Sequence, residues 1–260
     1  MQISKSQRFV LGSLFALALS GCQQGATADD GAVWVPQVVA RFPHDSNAFT
    51  QGLIFHNGDL YESTGRYGES SVRRVDLETG RVERLQPINS NYFGEGLTLL
   101  GDRLYQLTWK SGTGFVYRLE DFRPIESFSY SGEGWGLTQD GEQLILSDGT
   151  ATLRFLDPAS YRVLRTVTVM DGDQPVIDLN ELEYIDGEIW ANVWYDERIV
   201  RIDPIDGRVL GWIDLSEIYP AEQRPADAVV NGIAWDAETD RIFVTGKLWP
   251  AIFEIEFRER

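Results

Sequence analysis

The stretch GLIFHNGDLYESTGRYGESSVRRVDLETGRV, running from Gly52 to Val82, decides the fold. A short apolar run meets a turn at Asn57-Gly58-Asp59, an alternating run Leu60-Tyr61-Glu62-Ser63 follows, and a third run ends in Asp76. Apolar/polar alternation on both sides of Asn-Gly is the mark of a β-hairpin. The pattern recurs as GLTLLGDRLYQLTWKSGTGFVYRLEDFRPI from Gly96, GLTQDGEQLILSDGTATLRFLDPASYRVL from Gly136, ELEYIDGEIWANVWYDERIVRIDPIDGRVL from Glu181 and GIAWDAETDRIFVTGKLWPAIFEIEF from Gly232. A repeat of about 40–50 residues carrying three or four strands is the sequence form of a propeller blade. Five copies predict an all-β, five-bladed β-propeller over residues 33–260, with Val33 to Phe42 supplying an extra strand that closes the ring against the last blade. An open β-solenoid or a pair of sandwiches is the alternative.

Outside the repeats, the first residues read as an export signal over 1–21. Lys5 and Arg8 precede an apolar run from Phe9 to Leu19, which is short for a membrane span. Leu19-Ser20-Gly21-Cys22 looks like a bacterial lipobox. Cys22 is the single cysteine, so it has no partner for an internal disulfide and is expected to carry lipid. Residues 22–32 then form a flexible tether. The chain is expected on the periplasmic side of a bacterial membrane, and Gln23 after the cysteine favours the outer one. An ordinary secretory signal with an incidental cysteine is the alternative.

Two of the 23 basic residues leave with the signal, so 21 basic residues stand against 40 acidic, a net −19. Such a surface disfavours nucleic acid and anionic membranes as ligands. It suits a cationic substrate such as a peptide with a free α-amine, although solubility alone would account for it.

The repeats, read in register, place candidate site residues. In a propeller the first strand of each blade lines the axis, so the residues just before each repeat start converge. These are Gln51, Glu95, Trp135, Asn180 and Asn231, none of them aliphatic. The far end of each second strand returns beside the start of the first, and carries Gly65, Trp109, Gly149, Trp194 and Lys247. Both sets are expected on one face. Each member has a plainer reading: indoles pack blades together, Glu95 could be a solvated rim acid, and Lys247 could serve only to neutralise it. Glycines flanking Glu95 favour close approach of a ligand. Arg73, Arg74, Arg154 and Arg201 lie in third strands and are expected to pair between blades. His44 and His56 have no metal-binding spacing and Cys22 no partner, so neither a metal nor another cofactor is expected.

Several stretches in order then resemble one family. They are Phe49-Thr50-Gln51-Gly52-Leu53, Phe93-Gly94-Glu95-Gly96-Leu97-Thr98, Leu107-Thr108-Trp109, Gly132-Glu133-Gly134-Trp135-Gly136-Leu137, Leu179-Asn180-Glu181-Leu182-Glu183, Ala191-Asn192-Val193-Trp194, Asn231-Gly232-Ile233-Ala234-Trp235 and Thr245-Gly246-Lys247-Leu248-Trp249-Pro250. They look like the glutamine cyclotransferases of plants and bacteria. The resemblance implies a five-bladed propeller that closes an N-terminal glutamine of a peptide or protein into pyroglutamate, without metal, and releases ammonia. It implies Phe49, Gln51, Phe93, Glu95, Trp109, Trp135, Asn180, Trp194 and Lys247 as active-site residues, of which Glu95, Lys247 and Asn180 are read as catalytic. Phe49, Gln51, Phe93, Trp109, Trp135 and Trp194 are then substrate-binding. The expected partners are peptides with N-terminal glutamine, acted on by a monomer. Two other classes stay open at this stage: a lipid-anchored propeller that only binds a peptide or sugar, and a glycosidase in which Glu181 or Glu183 faces Glu95 as a second acid.

Overall fold

The computed structural model describes residues 32–257. Among them, five four-stranded antiparallel blades follow one another, the fourth carrying one further parallel strand at its edge; in the first four the antiparallel strands run in sequence order from inside to outside. Blade I comprises Thr50–His56, Asp59–Thr64, Ser71–Asp76 and Val82–Pro87. Blade II comprises Gly94–Leu100, Arg103–Thr108, Thr113–Arg118 and Pro124–Ser129. Blade III, with shorter inner strands, comprises Leu137–Gln139, Leu144–Leu146, Thr152–Leu156 and Val163–Thr168. Blade IV comprises Leu179–Ile185, Glu188–Val193, Arg198–Ile202 and Val209–Asp214. Blade V takes Val230–Asp236, Arg241–Gly246 and Ala251–Glu256 from the end of the chain. Its outer strand is Gln37–Pro43 from the beginning, antiparallel with Gln37 opposite Glu256 and Pro43 opposite Ala251.

The first strands neighbour one another round a ring, I beside II, II beside III, and V back beside I. Five apolar layers fill the gaps between blades. The layer that joins the last blade to the first packs Phe243, Ala234 and Ile252 against Leu53, Leu60 and Val75. Burial of these faces is the main stabilising term of such a ring. The hairpin turns follow their sequence: Asn57 and Gly58, and Asp186 and Gly187, all have positive φ, as a type I′ turn requires.

Two details differ from the sequence reading. The closing segment is two strands. Gln37–Pro43 closes blade V, whereas Val33–Trp34 runs parallel to the outer strand of blade IV. Pro36, with no N–H to give a ladder, stands between them. Trp34 then lies on Gly211, where a Cβ would come within 2.1 Å of the indole. The third-strand arginines pair mainly within their own blades, because outward-facing strand residues meet cross-strand neighbours first. Arg74 pairs with Asp59 and Glu83, and Arg201 with Glu188. Arg73 reaches Glu62 and Asp45. Arg154 pairs with Asp148 but also donates to the Ser131 and Glu133 carbonyls in the connection from blade II.

The repeat starts Gly52, Gly96, Gly136 and Gly232 are glycines for a steric reason. A Cβ on Gly136 would lie 1.9 Å from the Asn180 carbonyl oxygen, and one on Gly96 2.5 Å from the Leu137 nitrogen. Blade IV has Glu181 at this position. Its carboxylate accepts the N–H groups of Leu53 in blade I and Ile233 in blade V, at 3.2 and 2.9 Å. One repeat start therefore carries the side chain that ties inner strands together while the others stay bare.

Candidate active site

Pairing between the first and second strands is irregular where the site begins. The register shifts between Thr50 and Gly52, Gly94 and Leu97, Leu179 and Leu182, and Val230 and Ile233. Gln51, Glu95, Asn180 and Asn231 all fall inside these bulges, which re-aim a side chain from the pleat. The returning strands meet them as the spacing predicts. Gly65, Trp109 and Lys247 donate their backbone N–H to the carbonyls of Phe49, Phe93 and Val229, each two residues before a bulge residue.

Gln51, Glu95, Asn180, Trp109 and Lys247 among them line a pocket of about 320 Å³ at that end of the ring. All nine residues singled out as catalytic or substrate-binding face it: Phe49, Gln51, Phe93, Glu95, Trp109, Trp135, Asn180, Trp194 and Lys247. Asn231 stands behind, donating to the Gln51 Oε1 at 3.0 Å. Gly65 and Gly149 are the floors on which rings lie: a Cβ on Gly65 would come within 2.3 Å of Phe93, and one on Gly149 within 2.7 Å of Trp135. The alternation of Gly and Trp in the second register thus follows from which blade supplies the ring.

Aromatic contacts build the wall. Phe93 meets Phe49 and Trp109 edge-on with centroids 6.1 and 5.5 Å apart. Trp135 meets Trp194 at 5.5 Å, and Trp194 meets Tyr195 at 4.7 Å. Trp194 and Tyr195 are 40% and 62% exposed, so they form the rim rather than the floor.

Glu95 and Lys247 lie at the base, each 5% exposed. Burial drives the Glu95 carboxyl well above the ordinary range; the Lys247 charge opposes this and Glu133 adds to it. Burial lowers Lys247 to about 8, with Glu95 and Asp227 holding it up. Gln51 donates its Nε2 to the Glu95 Oε1 at 3.0 Å. The Lys247 ammonium lies over the Phe49 ring at 4.9 Å and has no hydrogen-bond or ion-pair partner among the described residues. A buried acid raised well above its ordinary range, in one pocket with a lowered lysine that has donors to spare, has the chemistry for proton transfer and for binding an oxyanion.

The sequence profile described as glutamine cyclotransferase matches residues 13–257. The chain belongs to this family. It is 50% identical over 229 residues to a glutaminyl-peptide cyclotransferase of Arabidopsis thaliana, covering 86% of this chain and 71% of that one. The crystal structure of Myxococcus xanthus glutaminyl cyclase superposes with a TM-score of 0.81 at 38% identity, over 87% of this chain and 97% of that one.

Within this cyclotransferase fold, the paired-acid alternative fails on geometry. Glu181 is spent on backbone N–H groups, and Glu183 lines a separate opening of about 750 Å³ formed by the hairpin turns of the blades. Neither lines the aromatic pocket. His44 is held by Glu62 and the Trp249 carbonyl, in a structural role. Sequence reading missed Tyr195, Asp227 and Val229 in the lining. Val229 was legible in principle. It stands two residues before Asn231, as Phe49 and Phe93 stand before Gln51 and Glu95.

Proposed function

We propose that the protein cyclises the N-terminal glutamine of peptides or proteins to pyroglutamate and releases ammonia, with no metal taking part. The observation that carries this reading is the buried Glu95–Lys247 pair at the base of a small aromatic pocket. The substrate's α-nitrogen attacks its own γ-carboxamide carbon, the C–N bond to the amide nitrogen breaks, and ammonia leaves. Glu95 accepts the proton lost by the attacking nitrogen and passes it to the departing one. A carboxyl raised by burial well above its ordinary range is a better proton acceptor and carrier than a solvated one. Lys247, with free donors, faces the carboxamide oxygen as charge develops there. Asn180 is a further donor to the reacting amide, and Gln51 orients Glu95. Phe49, Phe93 and the three indoles hold the side chain folded in a dry box, which favours ring closure over a reaction in water. The exposed Trp194 and Tyr195 leave room for the rest of the peptide. Acid, base and oxyanion donor all come from side chains, and no protein nucleophile is required.

Incubation with a glutamine-initiated dipeptide should release ammonia, and activity should persist after dialysis against a strong chelator. Absence of turnover would favour a binding-only propeller, and loss of activity restored by zinc would overturn the metal-free mechanism.

The export and anchoring expectations fall on residues 1–31, outside the described residues. We propose that Cys22 carries lipid and holds the domain at the periplasmic face of a bacterial membrane, the outer one being favoured by Gln23; the support is the lipobox-like Leu19-Ser20-Gly21-Cys22. Fatty-acid label should be present on the wild type and lost in Cys22→Ala. Label that persists in the variant, or never appears on the wild type, would refute this. The domain is proposed to act as a monomer, and light scattering of the purified domain should give the mass of one chain.

A further inference from the structure

Glu133 stands two residues before Trp135, in the register where Phe49, Phe93 and Val229 precede their bulge residues. It does not line the pocket. One of its oxygens, Oε2, accepts the Nε1–H of Trp109 at 2.8 Å and that of Trp135 at 2.9 Å. Trp109 directly follows the second strand of blade II and Trp135 leads into blade III, so a single oxygen ties two blades' indoles together. An indole N–H is a donor only and needs an acceptor wherever it leaves water. A carboxylate oxygen accepts both bonds with charge assistance, which shortens and strengthens them.

The surroundings hold Glu133 in place. Arg154 donates to its backbone carbonyl at 3.2 Å. Lys110 lies over the Trp109 ring at 3.8 Å, with its Nζ 3.9 Å from the other Glu133 oxygen. Gly134 next to it has room only for hydrogen, because a Cβ would meet the Tyr130 hydroxyl at 2.4 Å. With Trp135 fixed, Trp194 is fixed in turn through their edge-to-face contact.

We propose that Glu133 is a positioning residue for the cyclisation: it clamps Trp109 and Trp135 into the walls of the box and sets a negative charge beside the reacting groups. The proposal rests on the reading of Glu95 and the aromatic box given above. The groups that act on Glu95 come from several sides of the pocket: Gln51 from blade I, Glu133 from the connection after blade II, and Lys247 from blade V, itself held up by Asp227; the Glu95 charge acts in turn on Tyr130 at the end of blade II. Of the two acids in this set, Glu133 acts on Glu95 directly and favours its protonated form, in the direction opposite to Lys247.

Two variants separate the clamp from the charge. Glu133→Gln keeps an oxygen that accepts both indole N–H groups and removes the charge. Its KM should stay within a few-fold of wild type, while the acid limb of kcat against pH moves to lower pH, because Glu95 then loses its proton more readily. Glu133→Ala removes both. Its KM should rise by about 10-fold or more, the scale of one lost charge-assisted hydrogen bond, with the same displacement of the acid limb. Recovery of KM in the Gln variant relative to the Ala variant is something a merely structural acid would not produce. Glu95→Gln is assayed in parallel with dipeptide as substrate. If Glu95→Gln is inactive while both Glu133 variants match wild type in KM and pH profile, the Glu133 proposal falls and the site reading stands. If Glu95→Gln retains activity, the site reading falls first. Should the Ala variant melt too early to assay, an unmoved acid limb in Glu133→Gln is sufficient to overturn the electrostatic role.

Discussion

Glu95→Gln is expected to lower kcat by about 100-fold or more and to leave KM within a few-fold of wild type, the usual pattern when a positioned acid–base group is lost. The side chains have the same shape, and the amide oxygen still accepts the Gln51 N–H that now bonds the Glu95 Oε1. What disappears is a group that takes a proton from one nitrogen and returns it to another. A second consequence follows through Lys247. The Glu95 charge is the larger of the two that hold Lys247 up against burial, so without it the lysine falls below its value of about 8. The alkaline limb of the residual activity should therefore move to lower pH. Trp135→Ala gives a different signature. It removes a ring that rests on Gly149 and supports Trp194, so KM should rise together with the fall in kcat. A folded Glu95→Gln enzyme with near-normal kcat would take the proton shuttle away from Glu95.

What the sequence made legible was periodic. Strands alternate, repeats keep a register, and the two registers Gln51/Glu95/Trp135/Asn180/Asn231 and Gly65/Trp109/Gly149/Trp194/Lys247 meet at one end because antiparallel hairpins must return there. What it hid was aperiodic. The bulges that aim Glu95 and Asn180 inward leave no trace in hydrophobic alternation. Tyr195 and Asp227 lie in connections, where a residue's direction depends on backbone turns such as the positive φ of Tyr195. Phe49 and Phe93 were reached through family resemblance, and the same offset, carried into the other blades, leads to Val229 and Glu133. Pro36 was visible in the sequence, but only the structure places its two flanking strands in different blades.

Glu183→Gln is expected to spare catalysis and to change how stability depends on pH. Glu183 is half-buried at the far end of the ring from the aromatic pocket, accepting the Trp235 N–H at 3.1 Å with Thr138 Oγ1 at 3.5 Å. Burial raises it from 4.5 to about 8, with hydrogen bonds from Trp235, Tyr184 and Thr138 opposing the rise. Its protonated form is therefore the one the native state prefers. A carboxyl with a folded pKa above its unfolded value contributes fully below the unfolded value and loses that contribution as pH rises toward the folded one. Between about pH 4.5 and 8 the native protein holds a proton here that the unfolded chain has released, and stability should fall by up to about 1.4 kcal/mol per pH unit from this group alone. Glu181 and Glu95 are raised by the same burial and act in the same direction. His44, raised by Glu62, also loses its contribution as pH climbs through its folded value. Glu62 and Asp45 are lowered, so their contribution is lost only as pH falls below the ordinary carboxylate range, outside this window. Urea midpoints measured from pH 5 to 8 should therefore decline in the wild type and decline less steeply in Glu183→Gln. The glutamine keeps an acceptor for Trp235 and a polar group for Thr138 but has no proton to lose. Parallel slopes in the two proteins would show that Glu183 ionises in the native state as it does in the unfolded chain. A folded variant without activity would instead move the essential acid from Glu95 to the opposite end of the ring.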